Sequence, residues 1–67
     1  MSILTKREKE VFNYLILNYS TGEISKLMNI SEKTVRNHVS NVIQKLGVNN
    51  RTQATVELLK LGEISLL

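Results

Sequence analysis

Ser31-Glu-Lys-Thr-Val-Arg-Asn-His-Val-Ser-Asn-Val-Ile-Gln-Lys-Leu46 decides how the rest of this 67-residue chain is read. Wound as an α-helix at about 100° per residue, it places Val35, Val39, Val42, Ile43 and Leu46 on one stripe roughly a hundred degrees wide. Lys33, Arg36, Asn37, Ser40, Asn41 and Gln44 fill the opposite side, with no carboxylate and no large apolar residue among them. Amides, hydroxyls and cations are the groups that meet base edges and phosphate oxygens. Asn and Ser compete with the helical backbone for hydrogen bonds, so helix stability alone does not call for them. The pattern predicts a helix over 32–46 whose outer face recognises a polar, anionic partner.

Upstream of this helix, Ser20-Thr-Gly-Glu23 is a helix start in which either Ser20 or Thr21 can cap, with Glu23 favoured by the helix dipole. A short second helix follows over about 22–28. Ile24 and Leu27 are expected to point inward, joined by Met28. Asn29-Ile30 breaks it, Ile30 plugs the turn, and Ser31 caps the third helix. Two helices joined by so short a turn, the second with one apolar stripe, make a helix-turn-helix over about 21–40. A plain helical hairpin would carry mixed Glu and Lys on its outer face instead.

The flanks are helical too. Thr5-Lys-Arg-Glu8 is a capping box, with Leu4 placed as a hydrophobic staple. It predicts a first helix over about 6–18, with Val11, Phe12, Leu15 and Ile16 inward and Tyr14 and Tyr19 covering the core edge. Gly47 is a natural stop for the third helix, and Val48 closes over its end. Asn50-Arg-Thr-Gln53 opens a fourth helix over about 51–61, stopped at Gly62. The apolar tail 63–67 either folds back on the core or frays. There is no proline, no repeat and no linker, so the fold class is all-α, one four-helix domain over 1–67.

Composition narrows the function. There is no cysteine and a single histidine, so neither a disulfide framework nor a metal site of usual type is expected. A chain of this size buries only about 60% of its unfolded surface. It has little room for a substrate cavity, and it shows no phosphate-cradling glycine loop and no acid/base pair. The reading is a non-enzyme without a cofactor. The net charge of +3 is modest, but its placement is not even. Lys26, Lys33, Arg36, Lys45 and Arg51 face Glu32 alone between residues 26 and 51, which favours a polyanion there. No apolar run is long enough to span a bilayer, and no signal peptide leads the chain, so a cytoplasmic location is expected.

Position assigns roles. Lys33, Arg36, Asn37 and Ser40 lie on the N-terminal half of the outer face, the part of a recognition helix that enters the major groove of double-stranded DNA. Arg36 suits guanine and Asn37 suits adenine. Ser31, at the helix N-terminus, and Thr34, Asn41 and Lys45, beside the ridge, are expected to reach phosphates. His38, on the border of the two faces, reads either as a packed histidine or as a further backbone contact.

On the fourth helix, Ala54, Leu58 and Leu61 make a core-facing stripe, and Val56 and Leu59 lie roughly opposite. A helix packed on one side has no use for a second apolar face. Val56 and Leu59, with Gln53 and Lys60 at the rim beside Thr55, are therefore expected to form a homodimer contact. Such a contact would set two recognition helices in successive major grooves.

Leu4-Thr-Lys-Arg-Glu-Lys-Glu-Val11, Glu23-Ile24, Ile30-Ser-Glu-Lys-Thr-Val-Arg-Asn-His-Val39, Gln44-Lys-Leu-Gly-Val48 and Arg51-Thr-Gln-Ala54 together resemble the LuxR/FixJ/NarL-type DNA-binding domain of bacterial transcription regulators. The likeness covers roughly 3–63 and is nearest to free-standing members that act in late sporulation. It implies a four-helix domain with a dimerising fourth helix, base contacts at Arg36, Asn37 and Ser40, and backbone contacts at Thr34, His38 and Lys45. Ser25 stands where the family often has Ala, and Ser40 where many relatives carry a basic residue. RNA polymerase is a further partner the resemblance brings in. The alternatives are a helical module that binds a polymerase subunit or an anti-activator, and the excised output domain of a two-component response regulator.

Overall fold

The computed structural model describes residues 3–66. Among them the chain forms four α-helices: α1 (Lys6–Ile16), α2 (Thr21–Met28), α3 (Glu32–Leu46) and α4 (Arg51–Lys60). α3 is the central element and packs against all three others. Its apolar stripe behaves as its spacing predicts. Val35, Val39 and Val42 are buried, and Ile43 and Leu46 pack on the edge of the core. Phe12 and Val11 of α1, Ile24 and Met28 of α2, and Ala54 and Leu58 of α4 fill the interior, with Leu4 and Ile64 from the flanks of the helices.

Each helix is started by its own side chains. Thr5 Oγ1 accepts from the Glu8 N–H at 3.1 Å while Glu8 Oε1 accepts from the Thr5 N–H at 2.9 Å, the reciprocal pair of a capping box. Ser20, not Thr21, caps α2, and Glu23 closes the box from the other side. The Ser20 N–H and hydroxyl hold the Glu23 carboxyl below its ordinary range. Ser31 caps α3 through the Thr34 N–H at 3.0 Å. At α4, Asn50 Oδ1 accepts from the Gln53 N–H, but the Gln53 side chain reaches back one residue further, to the Asn49 N–H at 2.8 Å.

α1 stops two residues earlier than its pattern predicts. Asn18 enters the left-handed region at φ 70°, and the Tyr19 N–H returns to the Tyr14 carbonyl. Asn tolerates that conformation, and the Ser20 capping box needs extended backbone directly afterwards. Tyr14 and Tyr19 flank this turn with their rings edge to face, centroids 5.5 Å apart.

Two apolar residues sit elsewhere than periodicity places them. Leu27 is 54% exposed, because α2 turns its Ile24–Met28 line and the small Ser25 toward the core. The Ser25 hydroxyl is satisfied by the Gly22 carbonyl at 2.7 Å, so it enters without an orphaned polar group. Leu61 is likewise exposed. α4 ends at Lys60, Gly62 adopts φ 72°, and the Glu63 N–H closes on the Leu58 carbonyl. That turn brings the chain back, so Ile64, only 4% exposed, takes the core position expected of Leu61. The tail up to Ile64 therefore folds back; Leu67 lies outside the described residues.

Candidate nucleic-acid interface

The turn between α2 and α3 is three residues long and built without strain on a β-branched residue. Asn29 takes the left-handed conformation at φ 57°, and the Ile30 N–H donates to the Ser25 carbonyl at 3.0 Å. Ile30 then packs against the core, and Ser31 restarts the helix. This hydrogen-bonded corner sets α3 across α2, with the apolar stripe of α3 inward and its polar face free.

That face is solvent-exposed along its length. Lys33, Arg36, Asn37 and Ser40 are all exposed, as are Asn41 and Gln44. At its N-terminal end Ser31 Oγ and Thr34 Oγ1 lie 2.8 Å apart, so both hydroxyls sit at the first turn of α3, where backbone N–H groups and the helix dipole favour an anion. His38 is half-buried at the border of the stripe.

Lys45 stands apart from the other candidates. Nine residues on from Arg36, it projects about 180° away around the helix. Its ammonium meets Glu8 Oε1 at 2.5 Å and the Ile3 carbonyl at 3.4 Å. Glu8 is the one buried charged residue among the described residues, and burial by itself would raise its pKa. The hydrogen bonds from Lys45 and from the Thr5 N–H outweigh that and hold the carboxyl below its usual range. Lys45 therefore joins the last turn of α3 to the first turn of α1, and keeps a third of its side chain in solvent.

Sequence spacing missed two features of this face. The first is Glu32. It contributes a carboxylate at the edge of the ridge, accepting from Arg36 Nη1 at 2.9 Å and from Thr21 Oγ1 at 2.9 Å. The i,i+4 spacing of Glu32 and Arg36 was a signal for the first bond; nothing local pointed to Thr21. The second is Arg51. It opens α4 and lines one shallow concavity with Thr21, Arg36, Val39 and Ser40, so a second arginine stands beside the ridge from another helix. Gln53, Val56, Leu59 and Lys60 of α4 are all exposed, with Val56 at 46%.

A capped three-residue corner, a buried valine stripe and a donor-rich exposed face define a helix-turn-helix DNA-binding module. The comparisons place it further. Residues 2–58 match the family model described as bacterial regulatory proteins, luxR family, and the chain belongs to that family. It is 59% identical over 64 residues to the spore germination protein GerE of Bacillus subtilis, covering 96% of this chain and 86% of that protein. It is 53% identical over 62 residues to the transcriptional regulatory protein DegU of Brevibacillus brevis, of which it spans only 26%. The solved structure of the transcription factor GerE superposes with a TM-score of 0.97 at 61% identity over the whole of both chains. The chain is thus a GerE-like, LuxR-family DNA-binding transcription regulator and not an enzyme. Among the described residues no helix is long and apolar enough to cross a membrane.

Proposed function

We propose that the chain acts as one DNA-binding domain over 1–67, with its helix-turn-helix over about 21–40, and reads the major groove with α3. Lys33, Arg36, Asn37 and Ser40 contact base edges in this reading. Ser31, Thr34, His38, Asn41 and Lys45 contact phosphates, joined by Arg51, which lines the same concavity as Arg36 and Ser40. The observation that carries the reading is the exposure of a continuous ridge of amides, hydroxyls and cations on a helix whose other face is buried valine.

A homodimer through Gln53, Val56, Leu59 and Lys60 supplies the second half-site reader. Its support is the apolar pair Val56 and Leu59 on a face of α4 that Ala54 and Leu58 leave free. The likeness to a spore germination protein favours a role in sporulation or germination genes, in the cytoplasm and on the nucleoid, with RNA polymerase as the partner that turns binding into regulation.

Selection of bound sites from random duplex DNA tests this. The expected result is one enriched sequence with two related half-sites, bound with an affinity that falls steeply with salt. Arg36→Ala should then cost about 1–3 kcal/mol on that site and relax base choice at one position of each half. Folded protein that enriches no sequence at low salt overturns the proposal.

A further inference from the structure

The ridge carries one carboxylate, and it touches the residue best suited to read guanine. An exposed i,i+4 pair on a helix is a weak stabiliser whose side chains move freely. The Glu32–Arg36 pair differs in having a third member from another helix. Glu32 Oε2 accepts from Arg36 Nη1 and from Thr21 Oγ1, each at 2.9 Å. Glu32 Oε1 lies over the first turn of α2, 3.9 Å from where a Cβ on Gly22 would stand. The dipole of α2 favours a carboxylate at that point. Glu32 is thus held by α2 and in turn holds Arg36 on α3.

We infer that Glu32 is a positioning residue that sets the base specificity of Arg36, with Thr21 as its anchor across the helix-turn-helix. The inference rests on the reading that Arg36 contacts a base. Two consequences follow from the bonding. Glu32 uses one of the two Nη1 hydrogens, so the Nε–Nη2 edge, which does not involve Nη1, remains free for a bidentate acceptor on a base in a fixed plane. The paired carboxylate also offsets the charge of Arg36 toward phosphates. Arg36 then contributes little to sequence-independent binding and is rewarded only where a bidentate acceptor stands in the right plane.

The test measures dissociation constants for the selected site, for that site substituted at the base where Arg36→Ala relaxes choice, and for random duplex, all at one salt concentration. Glu32→Gln should tighten random duplex several-fold and lower discrimination at the Arg36 base by about five- to tenfold, within the range one bidentate contact supplies. Discrimination at the other positions should stay. Thr21→Val, which leaves every charge in place, should lower discrimination at the same base by a smaller factor. In an Arg36→Ala background Glu32→Gln should lose its effect on discrimination.

Equal changes on all three duplexes would reduce Glu32 to a bulk charge and overturn the inference. So would a loss of discrimination that persists without Arg36, since Glu32 would then read a base directly. If Arg36→Ala leaves base choice unchanged, the Arg36 reading fails first and Glu32 with it. If Arg36→Ala relaxes choice but Glu32→Gln does not, only the role of Glu32 fails.

Discussion

The Lys45 ammonium lies 2.5 Å from the Glu8 carboxylate, 37 residues away in sequence, and this contact ties the end of α3 to the beginning of α1. Glu8 is almost wholly buried, with 4% of its side chain exposed, whereas Lys45 keeps a third of its side chain in solvent. Removing the cation strands the buried carboxylate. Lys45→Met is therefore expected to cost about 2–3 kcal/mol, below the full cost for a completely buried pair because water screens the lysine end. For a chain this small that is a fall of about 10–20 °C in the unfolding midpoint, read by circular dichroism at one protein concentration. Base preference in the folded variant should be unchanged. A variant as stable as the parent would show that solvent alone satisfies Glu8.

Acid should unfold the protein partly through the same pair. The folded-state pKa of Glu8 is depressed, so its contribution to stability is fully present above the unfolded carboxylate value of about 4.3. That contribution is lost as pH falls through the lower folded value. Urea titrations between pH 6 and pH 2.5 should show stability declining below about pH 4.3. Glu8→Gln should start less stable at neutral pH and show a shallower acid limb. Parallel limbs for parent and variant would assign the acid transition to other carboxylates.

Val56→Glu and Leu59→Glu should leave the fold intact, because both side chains are exposed, at 46% and 38%. In the proposed dimer each places a charge in an apolar contact and its copy opposite. Sedimentation equilibrium should then report a monomer, and binding to a two-half-site duplex should fall to that of a single half-site. Unchanged mass and unchanged affinity for both variants would remove α4 from the dimer.

The C-terminal tail offers a direct comparison of two leucine-sized residues. Ile64 is buried and Leu61 is not, although periodicity along α4 favours Leu61. Ile64→Ala should cost about 2–4 kcal/mol, and Leu61→Ala less than about 0.5 kcal/mol. The reverse order in thermal denaturation would mean that the tail is not part of the core in solution.

Local chemistry made most of the fold legible. Thr5, Ser20, Ser31 and Asn50 cap their helices because short polar side chains meet free N–H groups wherever such a helix begins. Asn29 and Gly47 end two helices because each tolerates a left-handed backbone. The 100° spacing of Val35, Val39 and Val42 buries one face of a long helix whatever surrounds it, and so leaves Lys33, Arg36, Asn37 and Ser40 outside. The ridge follows from the stripe.

What the tertiary structure decided are the relationships between elements. A helix as short as α2 presents too few turns for periodicity to choose its buried side, and packing chose Ser25 over Leu27. The exchange of Leu61 for Ile64 depends on a reversal at Gly62 that only the space beside Leu58 rewards. Lys45 reads locally as one more cation beside a basic ridge, and its distant partner Glu8 makes it part of the scaffold. Glu32 reads as an ordinary first-turn carboxylate until Thr21 is brought to it from the other helix of the motif. Sequence periodicity resolves which way a side chain leaves its own helix; what that side chain then meets is set by chain segments tens of residues away.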